Sequence, residues 1–491
     1  MNVSSSKTQT CENLTDKQLA KRWNELPQDK ARLVVNRLQK RIAKAVKEGK
    51  YRLAKRLQYL LTHSFYAKVL AVNTVTKNRG SRTPGVDGIR WTSSSSKMKA
   101  VLNLTDKGYK AKPLKRILIP KSNSDKMRPL SIPTMYDRAM QALYALALQP
   151  WAETTADKSS FGFRLHRCAQ DAYEYAFGCL SKRSSAQWVV DGDIRGCFDN
   201  ISHEWLLQHI PMDKKILNEF LSAGYVQFWR IFETFSGVPQ GGIISPILAN
   251  MALDGLESLL KSKFEGVQVY LVRYADDMIA TAQSKEDAEK VRSVIAEFLN
   301  ERGLELSEEK TRIVQISEGF DFLGWTFRKF NGKMLNKPSK KSIKAIVQRI
   351  RDIISSAKCW TQDELISRLN PVIRGWTMYH RNSVASEVFS LLDHIIWKML
   401  YSWAKRRHSN KGKWWVVDRY WHPSVTRKWL FRTENQILSF FTDTKIVRHR
   451  RLKMSMNPFI DIAYFEGRKT GDYSYQMSLF SFIHRARTIG L

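Results

Sequence analysis

Apolar residues recur at helical spacing near the start of the chain and gather into short strand-like runs through its middle. In "VNRLQKRIAKAVKEG", Val35, Leu38, Ile42 and Val46 mark one face of a helix that Gly49 ends, with lysine and arginine on the other faces. Leu53, Leu57 and Leu60 mark a second basic helix. Glycine, proline and turn residues dominate "TKNRGSRTPGVDG" (76–88), which predicts a loop or lid. Two apolar strands, 116–120 and 128–132, then flank a polar turn, predicting a hairpin tipped with Lys121, Lys126 and Arg128. The stretch "DRAMQALYALALQPWAE" predicts a long helix, and "AQWVVDGDI" and "VQVYLVRYADDMIATA" predict buried strands. In the second of these, Val267, Val269 and Leu271 alternate with Tyr270, Val272 and Tyr274. From about residue 337 the strand signal fades: Ile343, Ile346, Ile350 and Ile353 return to helical spacing, and "LISRLNPVIRGWTMYHR" continues it. The C-terminal part interleaves tryptophan with basic residues, and no internal repeat is visible.

Composition sharpens this picture. The 491 residues carry 81 lysines and arginines against 46 acids, a formal charge of +35 spread along most of the chain. A phosphate backbone neutralises such an excess and releases its counterions, so nucleic acid is the expected partner, ahead of a membrane surface. No apolar run reaches the length of a spanning helix, and "MNVSSSKTQT" lacks the features of a secretory signal, so a soluble intracellular protein is expected. The five cysteines are scattered and never form C-x-x-C, which argues against zinc sites and a disulfide framework.

Two adjacent carboxylates, Asp276 and Asp277, interrupt the apolar run "VRYADDMIATA" at a predicted tight turn. An earlier strand, "WVVDGDIRGCFDN", also ends in acids: Asp191, Asp193 and Asp199. If the two strand ends lie side by side, carboxylates converge and repel one another unless a divalent metal joins them. Oxygen-only donors favour magnesium or manganese. Beside a basic cleft, that set predicts two-metal phosphoryl transfer, here addition of a nucleotide to a primer 3′-hydroxyl.

"YADD", preceded in order by "DIRGCFDNISHE" and "SGVPQGGIISPILAN", resembles the reverse transcriptases encoded by group II introns, the intron maturases. The resemblance runs from about residue 30 to 460 and takes in "TPGVDG", "IPKSNSDKMRPLSIPT", "SFGFR", "LSEEKT", "FDFLGW" and "LNPVIRGWTMYH". It implies an α+β, right-hand polymerase: fingers, a palm with an antiparallel sheet, and a helical thumb. A helical N-terminal extension (1–75) would precede fingers and palm (76–336), followed by the thumb, or maturase domain (337–395), and a basic DNA-binding domain (396–491).

The resemblance assigns the metals, two Mg2+ with Mn2+ as substitute, to Asp193, Asp276 and Asp277, leaving Asp191 and Asp199 in supporting roles. It gives the incoming triphosphate to Lys121 and Arg128, with Lys310 nearby, the sugar to Phe198, which would exclude a ribose 2′-hydroxyl, and the nucleotide and template to Gln240. Arg41, Lys44, Arg374, Lys405, Arg406 and Arg407 would bind nucleic acid. The implied partners are intron RNA, target DNA, template-primer duplex and deoxynucleoside triphosphates, with no membrane; the implied place is the bacterial cytoplasm and nucleoid, or an organelle.

The chain departs from the family pattern in ending without an H-N-H endonuclease segment, and "RGWTMYH" and "GFRLHRCAQ" differ slightly from the usual motifs. Two other readings stand beside the mobile-intron enzyme: a splicing-only RNA-binding maturase, and a domesticated reverse transcriptase in DNA repair or defence.

Overall fold

The computed structural model describes residues 14–120, 127–423, 427 and 429–469. Four helices open it, Asp16–Asn24, Gln28–Lys47, Tyr51–His63 and Phe65–Lys77. Their apolar faces do not form a separate unit. Val35, Ile42, Leu57, Leu61 and Val72 join one core with Leu143 and Leu148 of the helix Met135–Thr155 and with Val190 and Met278 further along. That central helix is buried nearly all round, with Asp137, Arg138, Gln141 and Glu153 among its buried residues. Pro150 within it cannot donate a hydrogen bond to the Leu146 carbonyl. The Gln39 side chain supplies the missing donor at 2.8 Å, and Gln58 reaches the next carbonyl, Ala147, at 3.2 Å.

The strands among the described residues up to Pro338 are, in chain order, β1 (Leu114–Pro120), β2 (Met127–Ile132), β3 (Trp188–Asp193), β4 (Tyr225–Gln227), β5 (Arg230–Phe232), β6 (Leu271–Tyr274), β7 (Asp277–Ala282), β8 (Arg312–Gln315), β9 (Phe320–Phe322), β10 (Trp325–Phe330) and β11 (Lys333–Pro338). The first sheet has the order β2-β1-β4-β5, with β1 and β4 parallel. The second, β6-β7-β3-β8, is antiparallel throughout. Val189 of β3 faces one core and Val190 the other, so both sides of this sheet are covered, which explains the unbroken apolar runs. The strand expected to start near Val267 begins only at Leu271; ahead of it the Thr281 hydroxyl, not a ladder carbonyl, receives the Tyr270 amide at 2.9 Å.

The loop 76–88 is pinned rather than free. The buried Arg138 guanidinium donates to the carbonyls of Gly80 at 2.9 Å, Thr83 at 2.8 Å and Pro133 at 2.9 Å.

Beyond β11, the helices Lys340–Ser356, Gln362–His380 and Ser386–Arg407 form a second hydrophobic core. The boundary expected at 395–396 falls inside the third of these helices. Its buried Leu392, Ile396, Leu400 and Trp403 share that core with Tyr420, Phe431 and Phe441, so the helical unit continues past the expected end.

This unit is seated on β10 through Trp325, which stacks on Tyr379 with ring centres 4.6 Å apart. The adjoining His380 is buried and hydrogen-bonded to the Ser342 hydroxyl at 3.0 Å; burial pushes its imidazole down to about 3. The folded chain therefore holds a neutral ring where the unfolded chain takes up a proton below about pH 6.5. The contribution of His380 is complete above that pH and falls by about 1.4 kcal/mol per pH unit towards pH 3. Melting temperatures of the wild type and His380→Gln, recorded from pH 7.5 down to 4.5, are expected to converge as the pH falls; parallel curves would refute this.

Candidate active site

Tyr274 and Asp277 pair across the β6–β7 hairpin, leaving Ala275 and Asp276 as its two turn residues. Ala275 has φ 59°, a left-handed conformation that costs energy for any residue with a Cβ. The backbone beneath holds it there. The segment Ser159–Phe161 runs beside Arg273: the Phe161 amide donates to the Arg273 carbonyl at 2.8 Å, and the Arg273 amide to the Ser159 carbonyl at 3.0 Å. Gly162 comes so close that a Cβ there would lie 2.4 Å from the Ala275 nitrogen, so only glycine fits. The Arg273 side chain is fully buried under the hairpin, donating to Asp254 at 2.6 Å and Asn250 at 3.0 Å. Asn250 also donates to the Gly162 carbonyl at 2.8 Å, tying the two supports together.

The two predicted strand ends meet. Asp193, the last residue of β3, stands directly opposite Asp277, the first of β7, with Asp276 beside it in the turn. The chain's own cations offset little of this charge. Lys310 places its ammonium 2.7 Å from an Asp193 carboxylate oxygen, and that hydrogen bond raises the lysine's pKa. Burial, then the charge of Asp193, raises Asp276, partly countered by Arg128 and Lys310. Burial of its carboxyl, followed by the charges of Asp276, Asp193 and Asp191, pushes Asp277 up to about 7, although the residue as a whole retains solvent access. Asp191 is pushed up to about 6, chiefly by burial, with Arg312 of β8 in register beside it.

An all-oxygen donor set with more negative charge than its neighbours relieve fits a hard divalent cation. With Asp193 turned to Lys310, the three carboxylates are not drawn tightly together. Among the described residues, Cys168, Asp171 and His449 are the trio whose ligand atoms lie within 4.8 Å of one another. There Arg468 already donates to Asp171 at 2.6 Å and supplies the compensating charge.

Around the carboxylates stand the residues expected to hold a nucleotide. Phe198 lies on the short helix Cys197–Asn200, entered through Gly196 at φ 55°, and packs edge-on against Phe163 with ring centres 5.9 Å apart. Gln240 spends its side-chain amide on Asp199, at 3.1 and 3.0 Å from the two carboxylate oxygens, and its carbonyl accepts from the Ser131 amide at 2.8 Å. Asp199 thus holds the glycine-rich loop to the helix Cys197–Asn200, while the Ser131 amide ties it to β2. Arg128 is exposed on β2, near enough for its charge to act on Asp276. Lys121 and Lys126 lie outside the described residues.

The six residues expected on nucleic-acid surfaces divide into two groups. Arg41 and Lys44 are exposed on the helix Gln28–Lys47. Arg374 is exposed and donates to the Ser439 hydroxyl at 3.0 Å, and Arg406 donates to the Ser402 carbonyl at 3.3 Å. Lys405 and Arg407 tie down loops: Lys405 donates to the Ser409 and Lys411 carbonyls at 3.0 and 2.5 Å, and Arg407 to those of Lys358 and Trp360 at 3.1 and 3.0 Å. These two hold loop carbonyls beyond the helix ends before they can act on a phosphate.

Sequence reasoning missed Gly162 and Arg273. The signal was present, since Arg273 interrupts the same apolar run as Asp276 and Asp277, and a cation in such a run needs a buried partner.

Comparison with known proteins gives the family. Residues 119–327 match the family described as reverse transcriptase (RNA-dependent DNA polymerase), residues 23–104 the N-terminal domain of reverse transcriptase, and residues 343–421 the group II intron maturase-specific domain. The group II intron-encoded protein LtrA of Lactococcus lactis subsp. cremoris is 30% identical over 452 residues, covering 71% of this chain and 73% of LtrA. Protein YkfC of Escherichia coli (strain K12) is 27% identical over 340 residues, 60% of this chain and 88% of its own. Maturase-like protein 1 of Euglena gracilis is 24% identical over 349 residues, 67% and 70% of the two chains. The chain belongs to the group II intron-encoded reverse transcriptase and maturase family.

Proposed function

We propose that this enzyme copies intron RNA into DNA by two-metal nucleotidyl transfer, primed at a DNA target, and that it binds the same RNA to assist splicing. Asp193, Asp276 and Asp277 are the residues that hold the ions, taken to be Mg2+. When bound, the ions lower the pKa of the primer 3′-hydroxyl and stabilise the departing pyrophosphate. Arg128 and, by resemblance, Lys121 grip the triphosphate from the β1–β2 hairpin. Phe198 closes the space that a ribose 2′-hydroxyl would need. Gln240 keeps the glycine-rich loop against β2, where its backbone can approach the nucleotide. Lys310, paired with Asp193 at 2.7 Å, would be free to approach the phosphates were that carboxylate to serve an ion instead.

In this reading β1, β2, β4 and β5 belong to the fingers, the sheet around β3 and β7 is the palm, and the helices from Lys340 onward form the thumb. The tryptophan-rich basic segment beyond is a DNA-binding surface. Splicing assistance follows if the protein binds the folded intron better than the unfolded one, since a ligand shifts an equilibrium only by its differential affinity. A bacterial cytoplasm is the setting the reading implies.

The single observation that carries the proposal is the register of Asp193 against Asp277, with Asp276 in the turn beside them. Primer extension on poly(rA) with oligo(dT) tests it. Magnesium-dependent extension with deoxynucleotides is expected. Absence of product together with retained RNA binding would make the chain a non-catalytic splicing factor.

A further inference from the structure

The hairpin of β4 and β5 presents two bulky aromatic residues in a conformation that suits neither. Gln227 and Arg230 pair, so Phe228 and Trp229 are the two turn residues, with φ 49° and 65°. Two consecutive positive φ values define the type I′ turn, for which Asn-Gly is the favoured pair because a Cβ is strained there. Burial among the described residues does not offset that strain. Phe228 is 80% exposed and Trp229 100% exposed, with Ile231 and Phe235 exposed beside them at 70% and 82%.

The hairpin is nevertheless firmly based. Tyr225 stacks on Phe232 at 5.1 Å, and the Arg116 guanidinium lies 3.3 Å from the Tyr225 ring centre. Tyr225 and Val226 pair with Leu114 and Lys115 of β1, the strand whose other neighbour, β2, carries Arg128. At the far end of the segment, Ser236 bridges Ser202 and its hydroxyl donates to the Asp199 carbonyl at 3.2 Å. A rigid arm therefore runs outward from the loop that Gln240 occupies and ends in two rings held in solvent.

Resting on the polymerase reading above, we propose that Phe228 and Trp229 form a stacking platform for unpaired template nucleotides that have not yet reached the primer end. Base faces stack on aromatic rings without regard to sequence, as a template reader requires. The surroundings favour a phosphate backbone: Lys115, Arg116 and Arg230 flank the arm, and Glu233 is the one acid between residues 225 and 235. A second copy of the chain fits less well. Each copy would bring the same basic surface of a chain with a formal charge of +35 to the contact, and like charges repel.

The test replaces the pair with the residues the turn prefers. The full-length double variant Phe228→Asn/Trp229→Gly should keep the hairpin and melt no lower than the wild type. Binding is measured in metal-free buffer against RNA–DNA template-primer duplexes, one with a single-stranded 5′ template extension and one blunt. The wild type is expected to prefer the extended duplex, and the double variant to lose about tenfold in affinity for it while binding the blunt duplex unchanged. An unchanged preference, an equal loss on both duplexes, or no preference in the wild type overturns the proposal. So does a wild-type dimer that the substitution converts to a monomer, which would make the rings a self-association surface. Because binding is read without catalysis, a wild type that prefers the extension yet extends no primer would sink the polymerase reading and leave the rings as a platform for single-stranded nucleic acid.

Discussion

Asp276→Asn is expected to abolish DNA synthesis while leaving RNA affinity within about twofold of the wild type. The substitution keeps the size of the side chain and removes one of the three charges that would hold the ions. Metal-assisted stabilisation of developing charge is worth several kcal/mol, and at about 1.4 kcal/mol per tenfold the rate should fall a thousandfold or more. RNA binding rests instead on the basic surface, including Arg41 and Lys44 on the helix Gln28–Lys47, which the substitution does not touch. Stability should hold or rise, because burial and the Asp193 charge already raise the Asp276 carboxyl. Extension rate, RNA affinity and melting temperature on one preparation decide the matter. Equal loss of synthesis and binding would contradict the division between a catalytic floor and a binding surface.

Arg273→Leu should have the largest effect on folding. The guanidinium is fully buried against Asp254, and breaking a buried ion pair from one side costs about 3 to 5 kcal/mol, because the partner is left charged and unpaired. Even with Arg273 in place, burial pushes the Asp254 carboxyl up to about 6. The loss should reach activity in the folded fraction too, since the Arg273 backbone is clasped by Ser159 and Phe161 just before the Ala275–Asp276 turn, which is proposed to hold the ions. Adding Asp254→Asn should restore much of the stability by removing the orphaned charge. Denaturation of the two variants distinguishes the causes: if the double variant is no more stable than the single, the penalty is lost packing rather than an unpaired carboxylate.

Much of the site was legible in the sequence because it is written in short segments. Each acidic strand end lies within a few residues of its apolar run, and the β1–β2 hairpin announces itself by two runs around a polar turn. What the sequence withheld depends on long-range packing. Nothing local says that the backbone of Gly162 touches that of Ala275, or that Ala275 is held at positive φ. The pairing of Lys310 with Asp193 joins residues far apart in the chain, so charge patterning along a segment could not reveal it. The basic run Lys405–Arg407 looks uniform in sequence, yet Arg406 donates to a carbonyl of its own helix while Lys405 and Arg407 reach carbonyls of loops, a distinction set by where the helix Ser386–Arg407 ends. The domain boundary went astray for a related reason: composition changes near residue 396, whereas the helix and its core continue.

The most direct test is a crystal of the protein with template-primer and a non-reactive nucleotide, soaked in Mn2+ and measured at the manganese edge. The account predicts two anomalous peaks shared among the carboxylates of Asp193, Asp276 and Asp277, at oxygen distances of about 2.1 Å, with the Lys310 ammonium withdrawn from Asp193. An intact Lys310–Asp193 pair with no ion in reach of both Asp193 and the Ala275–Asp276 turn would contradict it.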